Sequence, residues 1–241
     1  MKVLVIIPAY NEAENVASII CQVRDVVPQA SILVVEDGSS DATAEVARAA
    51  GAEVISLPCN LGYGAAVQTG FRYAVIHDYD VGVQLDADGQ HDPASIPALL
   101  DPVVSGQVDV ALGSRFLGRA DYRISWPRWI GMRVFALIAS AVVRQRITDP
   151  TTGFQALSRR VMRYFSEDNY PADYPDADAI ILLGLRGFRL REVPVIMRPR
   201  TSGTSMHGGA IAVIYVFQMF LSILAVILRE RVLRPATAEA V

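Results

Sequence analysis

The first half of the chain alternates short apolar runs with amphipathic stretches. The apolar runs, rich in Val, Ile and Leu, predict buried β-strands at 2–8, 31–37, 53–58, 81–86 and 108–114. The stretches between them predict helices at 12–27, 40–51, 64–78 and 93–106. This alternation favours an α/β fold with a Rossmann-like, mostly parallel sheet that is flanked by helices on both faces.

The helix predicted at 40–51 also carries end signals. Ser39 or Ser40 can cap its first turn, and Asp41 lies near its positive end. Gly51 suits a helix stop. We therefore expect this helix to begin at the serines and to end at the glycine.

In the second half of the chain the pattern changes. It predicts a long helix at 126–146, then a turn with a short strand or helix at 149–160. A helix, a Gly break and a strand follow at 175–197. A polar loop at 198–209 leads to an apolar run at 210–228, which predicts a C-terminal hydrophobic helix.

Composition narrows the class of protein. The 241 residues suit one large domain or a domain with an appendage, and 52% of them are hydrophobic. Cys21 and Cys59 form neither a disulfide framework nor a metal cluster, so we expect a reducing compartment. We interpret the N-terminal "MKVLVIIPAYNE" as a first strand and not as a signal peptide.

The net charge of −3 hides an uneven distribution. Residues 1–114 hold 4 Lys/Arg and 15 Asp/Glu, whereas residues 115–241 hold 18 and 10. The acidic half suggests a cation site, and the basic half suggests phosphate, an anionic membrane surface or nucleic acid. Because we find neither a nucleic-acid recognition motif nor a basic stripe with interleaved aromatics, we expect no nucleic-acid partner.

Polar side chains follow several of the predicted strands. Ligands of open α/β sheets bind beyond the carboxyl ends of the strands, and parallel strands bring those ends to one edge. The stretches predicted there are 8–12, 36–39, 86–90 and 113–115. Asp86 and Asp88 form a D-x-D pair that can present two carboxylates to one hard cation such as Mg²⁺ or Mn²⁺. A solvated turn would have the same spacing.

A glycine-containing stretch, "NLGYGAAVQTG", lies at 60–70. Gly62 and Gly64 nearly match a dinucleotide-binding fingerprint, but that fingerprint normally follows the first strand, and this stretch follows the third. Two explanations remain for the pair: a loop that approaches a ligand or another backbone closely, or a tight turn into a helix.

Arginines supply the opposite charge. Arg115 follows the fifth predicted strand, and Arg198 and Arg200 stand in "RPRTSGTSMHGG". Arginine suits bidentate phosphate contacts, and the glycines of this segment suit a lid that closes on substrate. A plain solvated loop is the alternative.

Seven motifs together carry a resemblance to a known family. "PAYNE", "VVEDGSSDAT", "NLGYGAAVQTG", "LDADGQHDP", "GSR", "DPTTGFQA" and "RPRTSGTSM" stand in the order seen in glycosyltransferase family 2. The chain most resembles the branch of dolichol-phosphate mannose synthases and bacterial polyprenyl-phosphate glycosyltransferases. The resemblance implies a GT-A catalytic domain, which we place at 1–207. The apolar run then predicts a C-terminal hydrophobic helix at 208–234, with a tail at 235–241.

The resemblance also implies an inverting transfer from a nucleotide-diphosphate sugar and a role for individual residues. The residues that match the nucleoside pocket, with Asp37 facing the base, are Pro8, Tyr10, Glu12 and Asp37. Those that match the Mg²⁺ or Mn²⁺ and diphosphate site are Asp86, Asp88 and Gln90. Those that match phosphate-holding positions of the lipid-phosphate branch are Arg115, Arg200 and Ser205. We add Gly62, Gly64 and Ala87 to the predicted nucleotide-sugar site. Glu36 departs from the family's more usual aspartate.

The acceptor decides whether a base is needed. A lipid phosphate is already ionised near neutral pH, whereas a hydroxyl on a glycan, a lipid-linked sugar or a small molecule needs a carboxylate base. Asp149, Asp176 and Asp178 are candidates, although turn or helix capping explains them as well. We predict transfer of a hexose to polyprenyl phosphate, with a hydroxyl acceptor as the alternative. The predicted catalytic residues are Asp88, Arg115, Arg200, Asp178 and Asp149.

Two stretches bear on location. The run at 210–228 would span ~28 Å as a helix, close to the ~30 Å hydrocarbon core. Residues 126–146 combine Trp126 and Trp129 with arginines, which suits a membrane interface. The alternative is a core helix and a subunit-contact helix. We expect an enzyme at the cytoplasmic face of the membrane, with the last helix either anchoring it or forming a homo-oligomer.

Other classes of protein fit less well. A nucleotidyltransferase usually carries a glycine-rich, basic loop after its first strand, where this chain has "PAYNE". A non-enzymatic nucleotide-sugar sensor would be expected to lack the D-x-D pair or the loop arginine, and both are present. An NAD-linked dehydrogenase would carry its glycine fingerprint after the first strand.

Overall fold

The strands of the protein form one mixed sheet. The computed structural model describes residues 1–118, 126–167, 170, 177–198 and 210–230. The strands in these ranges are β1 (Val3–Ala9), β2 (Ser31–Glu36), β3 (Glu53–Ser56), β4 (Val81–Gln84), β5 (Val110–Ser114), β6 (Gln155–Ser158) and β7 (Leu190–Pro194). Their order in the sheet is β3-β2-β1-β4-β6-β5-β7. All pairings are parallel except those of β6, which runs antiparallel to both β4 and β5.

Helices connect the strands. Their bounds are α1 (Val16–Val26), α2 (Thr43–Ala49), α3 (Tyr63–Ile76), α4 (Ile96–Val104), α5 (Trp126–Val143), α6 (Arg159–Ser166), α7 (Ala177–Leu185) and α8 (Ala210–Leu228). A 3₁₀ turn at Pro93–Ser95 leads into α4. The predicted α/β class with a mostly parallel sheet is therefore confirmed, and 149–160 contains both a strand and the start of a helix.

Helices pack on both faces of the sheet because successive strand residues point to opposite sides. Leu4 and Ile6 of β1 belong to one apolar cluster, which also contains residues of α3, α5, α6, α7 and α8. Val5 and Ile7 belong to a second cluster with residues of α1, α2 and α4. The molecule thus has three layers, and the sheet is buried between two apolar cores.

The start of α2 corrects one prediction. The helix begins at Thr43, and neither serine caps it through its side chain. Ser39 Oγ instead accepts from the backbone N–H of Asn11 at 3.0 Å, and the Ser40 N–H donates to Asn11 Oδ1 at 2.9 Å. The serines are used to join the ends of β1 and β2. Gly51, with φ +85°, does stop the helix as expected.

Two neighbouring helices expose apolar side chains. On α5 the exposed residues are Trp126, Trp129, Ile130, Val134 and Leu137, and on α8 they are Phe217, Phe220, Leu221, Leu224 and Leu228. We call these ten residues the apolar stripe. The two helices meet where the Phe135 and Phe220 rings lie 5.1 Å apart. No helix within the described ranges is both long enough and apolar enough to cross a membrane.

Candidate active site

The ends of several strands meet at one edge of the sheet. Because β1, β2, β4 and β5 all run in the same direction, the residues that follow them lie along the same edge. Strand β6 runs the opposite way, so the residues before it, 149–154, reach this edge too. The sequence predicted that the residues after β1, β2, β4 and β5 lie at this edge. That residues 149–154 lie there too follows from the direction of β6.

The D-x-D pair lies at this edge. Asp86, whose side chain is 30% exposed, accepts a hydrogen bond at Oδ1 from the Tyr63 hydroxyl at 2.7 Å. Asp88 Oδ1 accepts from the backbone N–H of Gln90 at 3.0 Å. Ala87, between the two aspartates, is buried. The loop thus places both carboxylates at the edge in a short turn.

These residues fit a hard divalent cation. Carboxylate oxygens are the ligands that Mg²⁺ and Mn²⁺ favour, and Mg²⁺ sites commonly combine one or two carboxylates with substrate phosphates. Within the described part of the chain, no group of three or more His, Cys, Asp or Glu side chains could hold a metal by itself.

His91, which reasoning from the sequence missed, packs beneath the D-x-D loop on the side of the protein interior. It is buried, and its ring stacks on Phe154 with centroids 4.9 Å apart. Burial lowers the pKa of His91 to about 4, with Arg115 acting in the same direction and Asp88 opposing. The imidazole is therefore neutral at neutral pH, and its Nδ1 accepts from the Asp86 backbone N–H at 3.1 Å.

The third aspartate of the loop has a different partner. Asp92 pairs with Arg198 at 2.9 Å and accepts from the Ala94 N–H at 3.1 Å. The Arg198 N–H donates to the Gln90 carbonyl at 2.8 Å, and His91 forms a β-bridge with Met197. We call this pairing of 90–92 with 196–198 the clamp. It engages Arg198, one of the arginines considered for phosphate, in holding the loop.

The predicted nucleoside pocket is built from the ends of β1 and β2. Pro8 is buried in β1, Tyr10 is 46% exposed, and the buried Glu12 accepts from the Asn15 side chain at 2.7 Å. Asp37 is buried as well, and its two carboxylate oxygens accept from the backbone N–H groups of Leu61 and Gly62 at 2.7 and 2.9 Å. Asp37 thereby fixes the glycine-containing loop, and its contact with a base stays a prediction.

The glycine pair serves a turn into a helix. Gly62 has φ +95°, a conformation that favours glycine, and it immediately precedes α3. Gly64 is buried in the first turn of that helix. This arrangement brings the loop against Asp37 and the first helical residue, Tyr63, against Asp86.

Arg115 lies in a buried ion pair. Its Nε and backbone N–H donate to Asp149 Oδ2 at 2.6 and 3.0 Å, and its Nη2 donates to the Thr151 carbonyl at 2.9 Å. Asp149 is fully buried. Glu192 of β7 accepts from the backbone N–H groups of Thr148 and Asp149 at 2.8 and 2.7 Å, and burial raises its pKa. Glu192 thus holds the turn that carries Asp149.

The remaining candidates divide into two groups. Arg200, Ser205 and Asp176 lie outside the described residues. Asp178, in the first turn of α7, is buried and accepts hydrogen bonds from Ser222 Oγ of α8 and from the Ala179 N–H. In this position Asp178 joins α7 to α8, and its side chain is buried.

The chain is similar to proteins that act on lipid phosphates. It is 33% identical over 224 residues to "Undecaprenyl-phosphate mannosyltransferase" of Micrococcus luteus, which covers 88% of this chain and 89% of the relative. It is 34% identical over 221 residues to "Polyprenol monophosphomannose synthase" of Mycolicibacterium smegmatis, with 87% and 82% covered. It is also 32% identical to "Dolichol-phosphate mannosyltransferase" of Pyrococcus furiosus over 87% of this chain and 60% of the relative.

Solved structures share the fold. Glucosyl-3-phosphoglycerate synthase from Mycobacterium tuberculosis, in complex with phosphoglyceric acid, superposes with a TM-score of 0.70 at 19% identity, over 93% of this chain and 79% of that chain. Its complex with Mn²⁺ and uridine-diphosphate-glucose gives 0.69 at 20% identity, over 93% and 78%. The predicted GT-A-like fold is confirmed at this level. The family model "Glycosyl transferase family 2" matches residues 4–165, and the chain therefore belongs to glycosyltransferase family 2.

Proposed function

We propose that the protein transfers a hexose from a nucleotide-diphosphate sugar to a polyprenyl phosphate, with inversion at the anomeric carbon. The observation that carries this proposal is the similarity to two polyprenyl-phosphate mannosyl-transferring relatives across more than four-fifths of the chain. The D-x-D pair at the carboxyl edge of the sheet is the feature of the site that fits the donor diphosphate.

On the donor side, Asp86 and Asp88 would hold Mg²⁺ or Mn²⁺ together with Gln90. When bound, the cation would stabilise negative charge on the departing diphosphate. The residues proposed to contact the nucleotide sugar are Pro8, Tyr10, Glu12, Asp37, Gly62, Gly64 and Ala87. Because His91 is neutral, it adds no positive charge beside the D-x-D carboxylates that would compete with the cation.

On the acceptor side, Arg115 is the described residue proposed to face a phosphate. Arg200 and Ser205, which lie outside the described residues, are proposed to do the same. Asp149 fixes the direction of the Arg115 guanidinium through the 2.6 Å contact with Nε. A guanidinium held in this way needs little reorganisation when charge develops on the phosphates.

The surroundings of two base candidates favour a phosphate acceptor over a hydroxyl. Asp149 is paired with Arg115, and Asp178 is bonded to Ser222, and both are buried. A base must reach the proton that it removes. A phosphate monoester is already ionised, so its oxygen can attack the anomeric carbon without such a base.

The apolar stripe supports a location at a membrane surface. Contiguous apolar patches on a protein surface mark protein or membrane contacts. Trp126 is 74% exposed at the start of α5, and the Arg133 guanidinium lies 5.5 Å from the Trp129 ring centroid, an aromatic and basic combination typical of membrane interfaces. We propose the cytoplasmic face, where the nucleotide sugar is available. A homo-oligomer formed through α8 is the alternative use of the same surface.

The proposal is tested by screening nucleotide sugars against the purified protein with undecaprenyl phosphate and, as a matched control, undecaprenol. We expect release of the nucleoside diphosphate and a sugar-bearing lipid with the phosphate acceptor alone. Transfer to undecaprenol or to a free glycan, with undecaprenyl phosphate ignored, would replace the proposal with the hydroxyl alternative.

A further inference from the structure

A tyrosine hydroxyl lies against the first aspartate of the D-x-D pair. Tyr63 is the first residue of α3, and its hydroxyl is 2.7 Å from Asp86 Oδ1. Tyr63 is half-buried, and a hydroxyl withdrawn from water is costly unless it is hydrogen-bonded. A phenylalanine could meet the packing at this position. We therefore ask what the Tyr63 hydroxyl does for the Asp86 carboxylate.

Gln84 fixes the direction of the hydrogen bond. The Gln84 side-chain amide donates to the Tyr63 oxygen at 2.8 Å, so that oxygen acts as an acceptor on one side. A phenol carries a single proton, which is then directed at Asp86.

The backbone on both sides of the ring leaves little room for movement. Asp37 holds the N–H groups of Leu61 and Gly62 directly before Tyr63, which fixes where α3 begins. On the other side, a Cβ placed on Gly153 would lie 2.7 Å from the Tyr63 hydroxyl and 3.3 Å from Asp86 Oδ2. The Gly153 backbone therefore packs directly against the hydroxyl and the carboxylate.

We propose that Tyr63 is a positioning residue that orients the Asp86 carboxylate for the divalent cation. This inference rests on the metal site of the proposed function and names a residue that the D-x-D motif does not contain. Groups that hydrogen-bond to a metal-binding side chain set its direction, and their removal typically lowers metal affinity about 10- to 100-fold. Gly153 contributes by leaving space for the pair.

The test is a Mn²⁺ titration of the full chain in which the electron paramagnetic resonance signal of free Mn²⁺ is measured. It is done first with Mn²⁺ alone and then with UDP or GDP present. Tyr63→Phe should raise the Mn²⁺ dissociation constant about 10-fold or more. Tyr73→Phe is the matched control, because Tyr73 lies on the same helix and its hydroxyl bonds Glu53 at an exposed position. Its Mn²⁺ affinity should equal that of the wild type.

Gly153→Ala provides a second arm, which also serves if Tyr63→Phe fails to fold. It retains the hydroxyl but displaces it, and it should weaken Mn²⁺ binding in the same direction. Wild-type affinity in a folded Tyr63→Phe variant, or in Gly153→Ala, would overturn the inference, as would a wild type that binds no Mn²⁺ in either condition. The titration needs no acceptor. A failure of sugar transfer to undecaprenyl phosphate would therefore leave its result standing and would count against the acceptor assignment alone.

Discussion

Three aspartates in one loop have three different surroundings. Asp86 accepts from the half-buried Tyr63, Asp88 accepts from the backbone of Gln90, and Asp92 pairs with Arg198. Carboxylates at such spacing repel one another unless positive charge or hydrogen-bond donors lie among them. The loop meets this requirement with separate partners, and two of the three aspartates are proposed to meet a cation.

Replacing Asp88 should remove activity without unfolding the protein. We expect Asp88→Ala to lower kcat at least ~10²-fold, because charge on the departing diphosphate would lose its electrostatic partner. Excess chelator should inactivate the wild type. Turnover by the variant and thermal unfolding by circular dichroism check both parts, and full wild-type activity in excess chelator would contradict the metal role.

Asp149 is expected to position Arg115 and not to act as a base. Asp149→Asn retains one acceptor oxygen for the guanidinium but loses the charge-assisted pair, so activity should fall about 10-fold. The shape of the pH–rate profile should remain that of the wild type. Loss of a general base would instead cost about 10²- to 10⁴-fold and would remove a limb of the profile.

Asp178→Asn serves as the companion measurement. An asparagine can still accept from Ser222, and we expect substantial turnover with polyprenyl phosphate. If either variant is folded, binds donor and yet is inactive, that aspartate is the base, and a hydroxyl acceptor becomes the better assignment.

Among the elements, β6 decides how the site is completed. Because it runs antiparallel to its neighbours, the turn before it carries Asp149 to the edge where Arg115 follows β5. Glu192 on β7 anchors that turn through two backbone N–H groups. Neighbouring strands of the sheet thus hold one ion pair in place.

The Glu192 carboxylate should give a measurable pH dependence of stability. Burial raises its pKa above the ordinary 4.5, so the folded state holds this proton more tightly than the unfolded state. The contribution is present below pH ~4.5 and is lost as the pH rises through the folded-state pKa. The unfolding free energy of Glu192→Gln minus that of wild type should therefore rise with pH across that window. Above the window the difference should stay constant.

Urea unfolding at a series of pH values measures this difference. The amide that replaces the Glu192 carboxylate still accepts at one oxygen, so the turn should be retained. A difference between variant and wild type that is constant with pH, or that falls as the pH rises, would show that Glu192 is not the group responsible.

The elements differ in how far the sequence could predict them. Apolar runs were sufficient to predict β1 to β5, and the sequence also predicted that Asp86 and Asp88 follow a strand end. The metal that they are proposed to bind stays a prediction. Tyr63 could not be found in this way, because its role depends on the start of α3 and on a glycine ninety residues further along the chain. The Ser39 and Ser40 caps were wrong because both serines had a tertiary partner in Asn11, which a local pattern does not contain.

At the scale of the whole molecule, α8 is joined to the body by apolar and polar contacts. Met219, Ile223 and Val226 are buried, and Ser222 bonds Asp178. Near the end of the helix, Arg186 pairs with Glu230 at 2.6 Å. The exposed residues of α8 belong to the apolar stripe together with those of α5, so both helices present apolar side chains to solvent.

Substitutions in the apolar stripe should weaken binding to vesicles. Burial of a large apolar side chain contributes ~1.5–3 kcal/mol, so Leu137→Ser should lower the vesicle partition coefficient at least ~10-fold. Ile76→Ser is the matched control, because Ile76 is 75% exposed on α3, outside the stripe. Flotation with anionic liposomes measures both variants.

Equal flotation of wild type and Leu137→Ser would contradict a membrane role for this surface. If the same substitution instead converts a dimer to a monomer in sedimentation experiments, the stripe is a subunit contact, and the alternative use of α8 is correct.

The clamp has a consequence for engineering the protein. Residues 196–198 are joined to the D-x-D loop by a β-bridge, a backbone hydrogen bond and the Asp92–Arg198 ion pair. Because these contacts all lie at or before position 198, we expect a foreign segment joined after Arg198 to leave them in place. Chimeras that exchange residues 199–209 for the corresponding segment of a relative should therefore keep the parent's Mn²⁺ affinity while changing which acceptor they use.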